Sequence, residues 1–153
     1  MNKFLIIFPI FFSTLLLSAE VEIKILRVID GDTVSAESRG TEIKIRLSEI
    51  DAPEMDQPYG TNSKKCLSKL IHENSSLRFK SDGQDNYGRS LGWLVTDDKN
   101  LNYEMIKQGC AWVYDRYVIN KTIYSFQNRA RLKNLGLWKQ NKPIAPWIWR
   151  RNN

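Results

Sequence analysis

The fold of this chain is decided by one stretch in its first third, Arg39-Gly40-Thr41-Glu42-Ile43-Lys44-Ile45-Arg46-Leu47. It opens on a turn signal and continues as an alternation of apolar and polar residues, the period of a half-buried β-strand. Successive side chains of a strand point to opposite faces, so Ile43, Ile45 and Leu47 share one face. The sequence therefore predicts a strand that turns Arg46 away from the core and towards a groove.

The spacing of apolar residues also predicts the other strands and the helices. Further strands are predicted around residues 21–25, 33–36, 77–79 and 91–95, and helices over about 61–74, 101–108 and 122–134. Five short strands with a helix between the third and the fourth suit an α+β fold, a five-stranded OB-type Greek-key β-barrel with about three packed helices. Periodicity alone leaves the strand order open.

The segment 143–150 is rich in proline and tryptophan and has two interpretations. Its aromatic rings could stack on nucleic-acid bases, or it could be a tail that covers the barrel and its helices. We favour the tail.

The N-terminus has the pattern of a secretory signal peptide. Lys3 is the only charged residue among the first 19, an apolar run of about 14 residues follows, and Ser18-Ala19 precede Glu20. An uncleaved membrane anchor is the alternative, but that run is shorter than the roughly 20 residues that span a bilayer. We expect a signal peptide over 1–19, one domain over 20–153, a periplasmic or secreted location, and no stable membrane association after cleavage.

The balance of charge points to an anionic partner. The formal net charge is +6, and removing Lys3 with the signal peptide leaves +5. A basic exported domain suits nucleic acid, acidic polysaccharide or anionic lipid headgroups, and charge alone does not choose among them.

Two cysteines, Cys66 and Cys110, lie 44 positions apart. In an exported chain an even count predicts a disulfide, which we favour over a reactive thiol because no activating neighbour is visible.

Four short motifs carry the chemistry: Asp30-Gly31-Asp32-Thr33, Arg46-Leu47, Ile50-Asp51-Ala52-Pro53-Glu54 and Tyr87-Gly88-Arg89. They supply carboxylates that can gather around a hard cation or a water, and arginines that can clamp a phosphate. This is the set of groups needed for metal-assisted phosphodiester hydrolysis.

In order and spacing, with 12 residues between Thr33 and Arg46 and 34 between Glu54 and Arg89, the motifs resemble the thermonuclease (staphylococcal-nuclease-like) family. The resemblance runs from about residue 21 to 150 and makes 20–153 a nuclease domain. It implies a calcium site, with Ca²⁺ held by the carboxylates of Asp32 and Asp51 and by the backbone carbonyl of Ala52, where the best-known member has threonine.

The resemblance also implies roles for the other motif residues. Glu54 resembles the general base, and Arg46 and Arg89 resemble the two catalytic arginines. Tyr87 matches a position against the 3′ phosphate of the nucleotide. Tyr117 approximately matches an aromatic position beside the base or sugar, while Asp115 stands where a second tyrosine is expected.

The expected function is an exported, Ca²⁺-dependent, sugar-non-specific endonuclease. It would be a monomer that cuts single- and double-stranded DNA and RNA and leaves 3′-phosphate ends. The alternative is a non-catalytic nucleic-acid-binding module of the OB type. Such a module has no chemical need for all five of the charged site residues, which are Asp32, Arg46, Asp51, Glu54 and Arg89. A structural calcium-binding module would leave both arginines unexplained.

Overall fold

The computed structural model describes residues 20–153, so the predicted signal peptide lies outside the described residues. The strands are β1 Glu20–Glu22, β2 Lys24–Val28, β3 Thr33–Ser38, β4 Thr41–Leu47, β5 Ile50–Asp51, β6 Arg78–Gln84, β7 Ser90–Val95 and β8 Trp112–Val113. The α-helices are α1 Gly60–His72, α2 Leu101–Lys107, α3 Ile123–Leu132 and α4 Pro146–Asn152. Short 3₁₀ helices lie at Asp115–Tyr117 and Gly136–Lys139.

The main sheet closes into a barrel. Its strand order is β1-β6-β7-β4-β3-β2, with β4 and β7 parallel and the other pairs antiparallel. Only Ile23 separates β1 from β2, yet these two segments lie at opposite ends of the order. One nearly continuous strand therefore pairs with both edges, so the prediction of a five-stranded OB-type barrel is confirmed.

The hydrophobic core is formed by the inward faces of the strands and by residues of the helices that pack against them. Ile45 and Leu47 of β4 are almost fully buried, as the alternation predicts, while Arg46 lies on the opposite face. The core also contains Val34, Ala36, Phe79 and Leu94 from the sheet, Leu67 and Leu70 from α1, and Leu101, Met105 and Ile106 from α2.

The predicted disulfide is confirmed. Cys66 of α1 is bonded to Cys110, which follows α2, with their Cα atoms 6.4 Å apart. The bond ties α1 to the segment that follows α2.

Three of the α-helices lie where the sequence predicts them, and the fourth, α4, was not predicted. α4 forms within the C-terminal segment, where the ring of Trp147 packs edge-on against Trp112 and stacks on Tyr114. The covering role of this segment is thus confirmed for that ring. Within residues 20–153, no helix has the length and apolar character needed to cross a membrane.

Candidate active site

One cleft of about 590 Å³ opens where β4 and β5 end and the loops around residues 82–89 and 114–117 approach them. All eight side chains or backbone groups that the sequence assigns to catalysis, metal or nucleotide line it: Asp32, Arg46, Asp51, Ala52, Glu54, Tyr87, Arg89 and Tyr117. The cleft also contains Tyr114 and Arg150, which the sequence did not single out. The four motifs therefore converge on one site.

Arg46 links the two predicted metal aspartates. Its Nε lies 3.1 Å from Asp32 Oδ1, and its Nη2 donates to Asp51 Oδ1 at 2.8 Å. Nη1 donates to the backbone carbonyls of Leu47 and Ile50 at 2.7 and 2.9 Å. Only 12% of its side chain is exposed, so the guanidinium is fixed and holds the aspartates side by side.

Strand register places Asp32 beside Arg46. Thr33, the next residue, pairs directly with Arg46 across β3 and β4. The turn before it packs closely, because a Cβ on Gly31 would lie 1.9 Å from Ser63 Oγ of α1 and 2.6 Å from Ala52 Cβ. Glycine is required there, which explains the Asp-Gly-Asp turn.

Asp32 is buried, and its environment disfavours its charge. Burial, assisted by the carboxylates of Asp30 and Asp51, raises the pKa of Asp32 to about 7 in spite of the Arg46 charge and the Ala52 N–H. That N–H donates to Asp32 Oδ2 at 2.6 Å. An additional positive charge near this oxygen pair would favour the ionised carboxylate.

Asp51 and Glu54 are presented by a short ladder and a tight turn. β5 pairs with β8, which sets Asp51 opposite Trp112 and leaves it 1% exposed. The backbone of Glu54 exchanges hydrogen bonds with Gln57, and a Cβ on Gly60 would lie 1.8 Å from the Glu54 carbonyl oxygen. The Glu54 backbone is therefore fixed, while its carboxylate is partly exposed to the cleft.

Arg89 is held by Asp85, a residue that sequence reasoning missed. Arg89 Nε donates to Asp85 Oδ2 at 2.7 Å, and the backbone N–H groups of Tyr87 and Arg89 both donate to Oδ1 at 2.9 Å. Burial alone would raise the pKa of Asp85, but these hydrogen bonds outweigh it and the pKa is lowered. An aspartate four residues before the arginine in a glycine-containing turn is the signal that could have found it.

Three tyrosines line the cleft, the predicted Tyr87 and Tyr117 and also Tyr114. Tyr87 is exposed and lies 5.8 Å below the Arg89 guanidinium, and Tyr117 lies at the end of a 3₁₀ turn. Asp115 does not line the cleft and is hydrogen-bonded to Tyr124. The ring centroid of Tyr114 is 5.1 Å from that of Tyr117.

Arg150 of α4 enters the cleft from the far end of the chain. Its Nη2 lies 2.8 Å from Asp51 Oδ2, and its Nη1 donates to Asp51 Oδ1 at 3.2 Å and to Glu54 Oε1. No local pattern in the sequence predicts this contact.

The donors available for a metal are all oxygens. Asp32, Asp51 and the Ala52 carbonyl form a set that suits a hard cation such as Ca²⁺ and does not suit Zn²⁺. Within residues 20–153, no three His, Cys, Asp or Glu residues are grouped so that they would hold an ion. The chemistry of the donors therefore fits calcium. In the structure, Arg150 is paired with Asp51 Oδ2 and Glu54 Oε1.

Comparison with known proteins supports one family. The family model described as Staphylococcal nuclease homologue matches residues 44–140. The chain belongs to the staphylococcal nuclease family.

An uncharacterized endonuclease of Haemophilus influenzae is 41% identical over 129 residues, 84% of this chain and 72% of that protein. One of Escherichia coli O157:H7 is 36% identical over 151 residues, 98% of each chain. The micrococcal nuclease of Shigella flexneri is 32% identical over 139 residues, 84% of this chain and 79% of that protein.

As a member of the staphylococcal nuclease family, the chain is a hydrolase of the nuclease class, and the resemblance carried by the four motifs is confirmed. Arg46, Asp51, Glu54 and Arg89 lie within the residues that the family model matches. Asp32 and Arg150 lie outside them, so their assignment to the site depends on the geometry of the cleft.

Proposed function

We propose that this nuclease is an exported, Ca²⁺-dependent, sugar-non-specific endonuclease that cuts DNA and RNA and leaves 3′-phosphate ends. The observation that carries the proposal is the convergence of five charged residues in one cleft, where Arg46 joins Asp32 to Asp51 while Glu54 and Arg89 line the same space. A non-catalytic binding module has no chemical need for this set.

The mechanism follows from the position of each group. Arg46 and Arg89 hold the substrate phosphate, and their fixed charges bind the more highly charged five-coordinate transition state better than the ground state. Glu54 accepts a proton from the water that attacks phosphorus, so a new P–O bond forms. The bond to the 5′ oxygen breaks and that oxygen takes up a proton from solvent water, which leaves phosphate on the 3′ end.

Asp32, Asp51 and the Ala52 carbonyl would hold Ca²⁺, which when bound supplies Lewis-acid polarisation of the phosphate and neutralises charge. Mg²⁺ should support little activity, because it demands a tighter octahedral shell than two aspartates and a carbonyl provide.

Substrate breadth is supported by the aromatic part of the cleft. Tyr87, Tyr114 and Tyr117 offer rings, and every base and sugar has a face that a ring can pack against. We therefore expect single- and double-stranded DNA and RNA to be substrates, and we expect the enzyme to act as a monomer.

Export is supported by the N-terminal pattern and by the disulfide. Bonds such as Cys66–Cys110 persist in oxidising compartments and are rare in reducing ones. The two features together support a periplasmic or secreted location.

The test uses residues 20–153 and two labelled substrates, one of DNA and one of RNA. Each is incubated with Ca²⁺, with Mg²⁺ plus EGTA, or with EGTA alone, and the product ends are analysed by mass spectrometry. We expect cleavage of both substrates in Ca²⁺ only, with 3′-phosphate ends. Full activity in Mg²⁺ with calcium chelated would overturn the metal assignment, and 5′-phosphate ends would overturn the assigned bond.

A further inference from the structure

Arg150 forms the longest-range ion pairs of the cleft. It lies on α4, 99 positions from Asp51 and 96 from Glu54, and it touches both carboxylates. Its side chain is 41% exposed, whereas Asp51 is buried. A partly solvated guanidinium thus covers the outer side of a buried carboxylate.

The placement of α4 is specific. Trp147, at its start, stacks on Tyr114 at 5.7 Å, and Trp149 Nε1 donates to Asp56 Oδ1 at 3.3 Å. These two contacts hold the part of α4 that immediately precedes Arg150, so the helix directs Arg150 to the carboxylates.

The charges of the cleft explain why a second cation is needed. Arg46 contacts Oδ1 of both aspartates, which leaves Asp51 Oδ2 and Glu54 Oε1 without its charge. Arg150 contacts these two oxygens. A positive charge that contacts two carboxylates favours the ionised form of both.

We propose that Arg150 is the resident counter-ion of the catalytic carboxylates, that it holds Asp51 and Glu54 in the metal-free enzyme, and that Ca²⁺ must displace it. This inference rests on the proposed function. A divalent ion and the Arg150 guanidinium compete for Asp51 Oδ2, because like charges at contact distance repel. Displacement also frees Glu54 to accept a proton. Arg150 is therefore a positioning residue that sets metal affinity.

The test compares Arg150→Gln with Arg151→Gln in the 20–153 protein. Arg151 is exposed, lies on the same helix and makes no ion pair within the described residues, so its substitution removes the same charge without touching the carboxylates. Calcium binding is measured by isothermal titration calorimetry without nucleic acid. We expect Arg150→Gln to bind Ca²⁺ about tenfold more tightly than the wild type, roughly 1.4 kcal/mol. Arg151→Gln should bind within about twofold of the wild type, because exposed charges are screened.

A second measurement uses thermal unfolding. In EGTA, Arg150→Gln should have a lower Tm than Arg151→Gln, because Asp51 and Glu54 repel each other without a counter-ion. In saturating Ca²⁺ the difference should disappear or reverse.

The outcomes separate this inference from the proposed function. A Ca²⁺-dependent wild type whose Arg150→Gln variant binds Ca²⁺ equally or less tightly overturns the counter-ion role and leaves the nuclease assignment in place. Absence of Ca²⁺ binding in the wild type and in both variants overturns the metal assignment and this inference with it. Tighter binding by both variants to the same degree shows only a general charge effect and also overturns the inference.

Discussion

Replacing Glu49 with glutamine tests how the loop that carries Tyr114 and Tyr117 is held against the barrel. Glu49 lies between β4 and β5, is 1% exposed, and has a left-handed backbone with φ of 68°. Its Oε1 accepts from the backbone N–H groups of Ile119 and Asn120, both at 2.8 Å. Its Oε2 accepts from Trp93 Nε1 at 2.8 Å and from the Tyr103 hydroxyl at 2.9 Å.

The magnitude follows from this count of donors. A glutamine has one oxygen that accepts and one amide group that only donates, so two of the four donors lose their partner. Each buried donor left unsatisfied costs about 1–3 kcal/mol. We therefore expect Glu49→Gln to lower the free energy of unfolding by about 4 kcal/mol. The exposed Glu37→Gln of β3, a matched control, should stay within about 0.5 kcal/mol of the wild type.

Urea denaturation followed by fluorescence gives the free energy of unfolding, and hydrogen exchange of the amides at 114–120 shows whether the loop is released. Faster exchange in that segment, with the barrel strands protected, is the expected pattern. A loss below about 1 kcal/mol with unchanged exchange would refute the argument that Glu49 anchors the loop.

Three further predictions follow from the same geometry. Glu54→Gln should lower turnover on single-stranded DNA by about 10²–10⁴-fold through loss of the general base, with circular dichroism unchanged; wild-type turnover would mean that the base is wrong. Serine at both Cys66 and Cys110 should lower the free energy of unfolding by about 4 kcal/mol, measured by urea denaturation, because the bond closes a loop of 44 residues. Burial and the hydrogen bond to Glu49 raise the pKa of Tyr103 to about 12. The stability that this shift contributes is full below pH 10 and is lost towards pH 12, so the advantage of the wild type over Tyr103→Phe in thermal unfolding should shrink over that range; a constant difference would contradict the pKa.

The parts of the site that the sequence predicted depend on local pattern and strand register. Alternation in β4 fixes the side to which Arg46 points, and pairing of Thr33 with Arg46 then brings Asp32 alongside. Asp51 and Glu54 come soon after Arg46 in the chain, in β5 and the turn that follows it. These residues are close in space because the strands and turns between them are short, and such information is readable from a single sequence.

The remaining parts depend on tertiary packing between distant segments. Glu49 lies in a short segment of mixed apolar and polar residues. No neighbouring residue in the sequence indicates that its hydrogen-bond donors are Trp93, Tyr103 and the loop at 119–120. Arg150 enters the cleft because α4 docks through Trp147, whose ring stacks on Tyr114. A terminal helix of seven residues has too little periodicity of its own to indicate where it docks.

The role of Arg150 has a consequence that can be checked by an independent measurement. If Arg150 lowers the affinity for Ca²⁺ by a given factor, thermodynamic linkage requires Ca²⁺ to weaken the docking of Arg150 by the same factor. The tenfold change expected in calorimetry should therefore reappear as faster hydrogen exchange in α4 when Ca²⁺ is added to the wild type. Arg150→Gln should show no such response, because its helix has no ion pair left for the metal to displace. Agreement between the two factors would identify the ion pair as the source of the coupling, and a calcium response of equal size in the variant would assign it to some other contact of the helix.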